Sequence, residues 1–104
     1  MKTIQKFAIN PNGDSQILTL KQGFQVARIE YSVTEKLINM WIEIPLRADI
    51  PEKTETFVVK KTNQAVPHDY NYIHTAVDIL TPQAYHIFKL PEAAMTDKTR
   101  LEVA

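Results

Sequence analysis

The sequence predicts an all-β domain, on three observations. β-branched residues are abundant, with 11 Ile, 7 Val and 10 Thr among 104 residues, and such side chains suit a pleated, half-buried surface. Short alternating apolar runs are separated by turn residues, most clearly Asn10-Pro11-Asn12-Gly13-Asp14. No stretch before the C-terminal tail is dominated by helix formers. Together these fit a small antiparallel β-sandwich or a partly open barrel of about seven strands.

The first strand is expected over residues 2–8 and ends at the Asn-Pro-Asn-Gly-Asp turn. A short second strand covers 16–20. Gly23 turns the chain into a longer third strand, 24–33. There Phe24 and Val26 hold one parity, while Ala27, Ile29, Tyr31 and Val33 hold the other. That phase change predicts a β-bulge or a bend near Val26-Ala27. Thr34-Glu35 makes a tight connection to the fourth strand, 36–44, so these two form an antiparallel hairpin. In the fourth strand Ile38, Met40, Ile42 and Ile44 share a face, which reads as a core stripe. Trp41 then lies on the opposite face.

Pro45 and Pro51 bound a loop before the fifth strand, 54–61, where Phe57-Val58-Val59 is apolar on both parities and predicts a central position. A loop with Asn63 and Pro67 leads to the sixth strand, 72–79. Thr81-Pro82 turns into the seventh, 83–90. The domain therefore spans 1–90, and 91–104 is a C-terminal tail, helical for a turn or two or flexible.

Composition narrows the function classes. Lys+Arg and Asp+Glu are 12 each, with a pI near 6.8. Only Lys60-Lys61 places two basic residues together. Nucleic-acid binding draws on many phosphate contacts, so charge argues against it. Near-neutrality favours self-association. There is no Cys, which removes disulfides, thiolate zinc sites and a cysteine nucleophile. No apolar run is long enough for a membrane helix and no signal peptide is visible. A soluble cytoplasmic protein is expected.

Catalytic motifs for nucleotides, metalloproteases or serine hydrolases are missing. His68, His74 and His86 fall in the last third beside Asp69 and Asp78. A metal site or acid/base cluster is one reading. Their spacing matches no ligand template, and the plainer one makes His68 a loop residue, His74 a surface residue and His86 a hydrogen-bonded, partly buried one. The expectation is no metal and no cofactor. Glu30 and Glu43 are read as facing each other across the hairpin, most simply as exposed charge.

Tyr70, Tyr72 and His74 alternate, which places them on one strand face, with Tyr31, Trp41 and Tyr85 as further aromatic surface. Such a surface serves as a stacking platform or a protein anchor. The plainer reading is that Tyr and Trp fill the core with polar tips in water. Trp41, Tyr70, Tyr72, His74 and Arg28 are the candidate binding residues.

Several motifs in order resemble a family of short proteins, many from phages and prophages, with no assigned activity. These are Phe7 on the opening strand, Leu20-Lys21-Gln22-Gly23, Asn39-Met40-Trp41-Ile42, Phe57 to Asn63, Tyr72-Ile73-His74-Thr75, and Tyr85-His86-Ile87-Phe88. Asn63 and His74 stand where that pattern carries glycine. The resemblance spans residues 1–90. It implies a compact all-β domain and a phage origin, and it brings no catalytic residues.

The expected function is a phage-type accessory protein that binds a host protein in the host cytoplasm, in its specific form by inhibiting an anti-phage defence system. A small-ligand site for a nucleotide, lined by the five candidate residues, is the alternative. A minor virion or assembly component is a further one. An enzyme built on His86 and a neighbouring carboxylate has the least support, because no nucleophile or cofactor motif accompanies it.

Overall fold

The computed structural model describes residues 1–91. Seven antiparallel strands form, where the sequence places them: β1 (Lys2–Ile9), β2 (Gln16–Lys21), β3 (Gln25–Ser32), β4 (Leu37–Pro45), β5 (Glu52–Lys61), β6 (Asn71–Asp78) and β7 (Gln83–Lys89). They divide into a three-stranded sheet, β1-β4-β3, and a four-stranded sheet, β2-β5-β7-β6. The sheets pack as an open sandwich and do not close into a barrel. The expected tail over 91–104 falls, apart from Pro91, outside the described residues.

The alternation in β4 sets the first inner face. Ile38, Met40 and Ile42 are fully buried and Ile44 nearly so. Ile9 of β1 and Ile29 of β3 lie on the same face, opposite Ile38 and Met40 in register. The second sheet answers with Leu20, Phe57, Val59, Ala76 and Ile87, all joined in one core. β5 lies between β2 and β7, which explains why Phe57-Val58-Val59 is apolar on both parities.

Register breaks twice. The ladder between β3 and β4 shifts between Val26 and Arg28, which is the predicted bulge. It returns Val26 and Ile29 to one face although they stand three positions apart, an odd spacing. A second shift, between Tyr72 and His74, falls on β6. The extra residue, Ile73, packs against the core.

Turn chemistry follows side-chain capping. In the first turn Asn10 Oδ1 accepts from Asn12 N and Asn12 Oδ1 accepts from Asp14 N, each at 3.0 Å, and Gly13 takes φ 92°. Asn63 takes φ 75°, a left-handed position in which Asn substitutes for Gly at low cost. At the β6–β7 turn, buried Asp78 accepts from Leu80 N at 3.0 Å and from Thr81 Oγ1 at 3.1 Å. Asp78 is thus a turn-forming residue. In the β3–β4 connection Lys36 N donates to Ser32 O at 2.8 Å, and Lys36 sits at φ 56°. The hairpin loop is thus Val33–Lys36, two residues longer than Thr34-Glu35 alone.

Candidate functional site

The five candidate residues do not converge. Trp41 and Arg28 are cross-strand partners on β4 and β3. Both stand on the outer face of the three-stranded sheet, since their inward neighbours Met40, Ile42 and Ile29 are core. Tyr72 belongs to the other sheet, paired with Phe88 on the face away from buried Ile87. Tyr70 precedes β6 in a turn, where its N–H donates to Pro67 O at 3.2 Å. The bulge at Ile73 breaks the alternation that would have aligned Tyr72 with His74. His74 is instead registered against Ile87, and its Nδ1 accepts from Thr75 N at 2.8 Å. A single pocket lined by all five is therefore not formed. The expected aromatic surface is divided too: Tyr31 and Tyr85 stack between the sheets, with centroids 5.4 Å apart.

Glu30 and Glu43 are likewise not opposed. Asn39 faces Glu30 and Gln25 faces Glu43: a turn at Thr34-Glu35 itself sets residue 30 against residue 39, and the bulge after Val26 sets 25 against 43. Each carboxylate has a cation on its own face: Lys2 at 2.8 Å from Glu43 and Arg28 at 2.7 Å from Glu30. Both pairs are exposed enough for solvent to screen them, so each contributes at most about 1 kcal/mol.

Three regions have organised chemistry. The first is the outer face of the β1-β4-β3 sheet. Lys6 and Arg28 flank Trp41 on the two neighbouring strands, making a cation–indole–cation row. Trp41 is half-buried by its neighbours on the strand surface.

The second is a polar chain on the outer face of the β2-β5-β7-β6 sheet. Tyr72 Oη lies 2.6 Å from Thr75 Oγ1, which lies 2.9 Å from His86 Nδ1. His86 Nε2 is 2.9 Å from Thr62 Oγ1. A neutral imidazole donates through one nitrogen and accepts through the other, so two hydroxyls satisfy the ring, and no carboxylate among the described residues bonds to it. His68 is an exposed loop residue. Among the described residues, no three His, Asp or Glu side chains gather in a way that would hold a metal ion.

The third region was not anticipated. At one end the sheets part into a cleft of about 580 Å³. Its base is Glu55, only 5% exposed, between Lys89 Nζ at 3.0 Å and Lys53 Nζ at 3.5 Å. Phe24, Val26 and Ile73 supply its apolar walls. The signal was present in the sequence. Lys53 and Glu55 share the parity of core residues Phe57 and Val59, and Lys89 shares that of Ile87. Starting the fifth strand at Thr54 hid it, because β5 begins two residues earlier, at Glu52.

No helix among the described residues is long and apolar enough to cross a membrane. No curated protein and no solved structure matches the chain. A family model does match, over residues 1–97: domain of unknown function, DUF7352. The chain belongs to that family.

Proposed function

We propose that this protein is a binding module that engages a protein partner through the outer face of its three-stranded sheet, centred on Trp41. One observation carries the reading. Trp41 occupies the middle strand of that face, between Lys6 and Arg28, and no described element packs over it. Trp and Arg are the residue types most enriched at interface hot spots, and long basic side chains beside an indole present both an apolar area and directed charge.

The specific form of this reading is a phage-type accessory protein that binds a host protein and blocks an anti-phage defence system. It is supported by the motif resemblance over residues 1–90 and by the small size of the domain, which suits occupation of a surface rather than chemistry. The outer sheet face supports the mode of binding and says nothing of the partner's name.

The test is affinity capture from host lysate with the wild-type protein and Trp41→Ala and Arg28→Ala variants, followed by titration of the captured partner. A hot-spot Trp predicts at least about a thirtyfold loss of affinity in Trp41→Ala, with the far-UV spectrum and melting temperature close to wild type. Equal affinity of wild type and Trp41→Ala for the partner would remove the proposal. So would a Trp41-dependent contact found only between two copies of this chain.

A further inference from the structure

Each asparagine of the chain is conditioned by the residue after it: Asn10-Pro11, Asn12-Gly13, Asn39-Met40, Asn63-Gln64 and Asn71-Tyr72. A side-chain carboxamide is open to attack by the backbone nitrogen of the next residue. That attack needs an N–H, an unhindered approach and no competing hydrogen bond. Pro11 has no N–H to give. Met40 and Tyr72 carry bulky side chains and lie within strands β4 and β6. Gln64 N already donates to Lys61 O at 3.1 Å. Gly13 has no side chain, and no acceptor among the described residues takes its N–H.

The first turn also prepares the carboxamide. Asn12, Gly13 and Asp14 are all exposed, so water reaches them. Asp14 N donates to Asn12 Oδ1 at 3.0 Å. That bond folds the carboxamide back over the Gly13 peptide. It also polarises the carbonyl under attack, as an oxyanion-hole donor does. Asn12 Nδ2, the leaving nitrogen, donates to Asp14 Oδ2 at 3.2 Å. The flanks are tied down as well. Asn12 N donates to Asn10 Oδ1, and Asn10 and Gln16 exchange two bonds across the base of the turn.

We propose that Asn12-Gly13 is a self-modification site, where the folded protein converts its own asparagine to aspartate and isoaspartate through a cyclic imide. Gly13 N gives its proton to hydroxide and bonds to Asn12 Cγ. The bond from Cγ to Nδ2 breaks, and the nitrogen takes a proton from water and leaves as ammonia. Water then opens the imide at either carbonyl. Opening at the former side-chain carbonyl gives aspartate, and opening at the main-chain carbonyl gives isoaspartate. The net reaction turns carboxamide and water into carboxylic acid and ammonia, with no change of oxidation state.

The product changes both charge and turn. With 12 cations against 12 anions in the chain, one new carboxylate takes the formal net charge from zero to minus one. Aspartate keeps an acceptor for Asp14 N, but its second oxygen meets the Asp14 carboxylate where Nδ2 had donated, and like charges repel. Isoaspartate also adds a methylene to the main chain. It does so in the link that carries the chain from the three-stranded sheet to the four-stranded one. The protein thus grows more acidic with age, at one defined turn.

The full chain is held in warm, mildly alkaline buffer and sampled over time. Ion exchange follows charge, and peptide mass spectrometry separates aspartate from isoaspartate. The expected result is a more acidic species with its new acid at position 12, formed before the other asparagines react, and with isoaspartate as the larger product. Its formation slows severalfold in mildly acidic buffer and in Gly13→Ala, whose methyl group shields the nitrogen. Gly13 takes φ 92°, a position where alanine is strained, so Asn12→Ser carries the test if Gly13→Ala does not fold. Serine keeps a turn-capping oxygen and has no carboxamide to lose. The proposal is overturned if position 12 stays an amide in the folded chain while it reacts in the chain unfolded by guanidinium. It is equally overturned if the other asparagines react as fast, if aspartate forms without isoaspartate, or if folded Gly13→Ala or Asn12→Ser acidifies as wild type does. Partner capture through Trp41 bears on none of these outcomes.

Discussion

The two ends of the space between the sheets are built from opposite materials. At one end Tyr31 of β3 and Tyr85 of β7 stack at 5.4 Å across the gap, and the buried carboxylate of Asp78 ties the adjoining turn. At the other end the gap holds Glu55 between two lysines, and the described residues leave a cleft there. The strands that pass between these ends are the same, and so is the core they share. The difference teaches that closure is decided locally, by what the last inward residue of each strand is. Stacked rings gain from burial and from each other. A buried carboxylate gains only from the cations that accompany it.

The largest expected effect is at the closed end. Tyr85→Ala removes one ring of the stack and leaves Tyr31 facing a void. Large-to-small aromatic changes in packed sites cost about 3 kcal/mol or more, and the lost ring pair adds about 1 kcal/mol. Because Tyr85 is half-buried, a total near 3 kcal/mol is expected, read from urea unfolding midpoints. A cost below about 1 kcal/mol would mean that the stack does not seal the sandwich.

The open end should behave differently. Lys89→Met alone leaves Glu55 with Lys53 as its nearby cation, and the expected cost is about 1–2 kcal/mol, less than for a fully buried pair because solvent reaches the lysine. The triple replacement Lys53→Met, Glu55→Leu, Lys89→Met removes the charges together. Its stability should return to within about 1 kcal/mol of wild type or exceed it. If the triple variant were less stable than Lys89→Met, the ion cluster would be a structural necessity, and the contrast between the two ends would dissolve.

The same contrast marks what the sequence made legible. All seven strands, the β3 bulge, the β4 core stripe and the central place of β5 follow from side-chain parity, which is a local property. The division of the strands between two sheets is not local, since β1 bonds to β4 and β2 to β5 with two other strands between them in the chain. Hence the sequence could show that Trp41 faces away from Met40 and Ile42, but not that Tyr72 would stand on the other sheet. The five candidate residues were scattered by that division and by the bulge at Ile73, where no parity change announces itself, because Tyr72, Ile73 and His74 all suit either face. The Lys53–Glu55–Lys89 cluster failed for another reason. Charged residues at strand ends read as solvated, and only the sheet order places Lys89 beside Glu55.

The smallest expected effect belongs to the closed end and appears only in alkali. Desolvation against the opposite sheet, then the carboxylate of Asp78 and the neighbouring Tyr85, push the Tyr31 hydroxyl above its ordinary value. Below pH 10 or so the phenol is protonated in both folded and unfolded chains, and its contribution does not vary. As pH rises through that ordinary value, the unfolded chain releases the proton while the folded chain retains it. The folded state then binds more protons, so unfolding free energy falls with pH. This loss continues until the folded hydroxyl itself ionises. Tyr31→Phe keeps the ring and its stack while deleting the titration. Its stability should therefore decline less than that of wild type between about pH 9 and pH 11. Parallel curves would show that the phenol ionises with equal ease in both states, and that the stacked end is as open to solvent as the end built from ions.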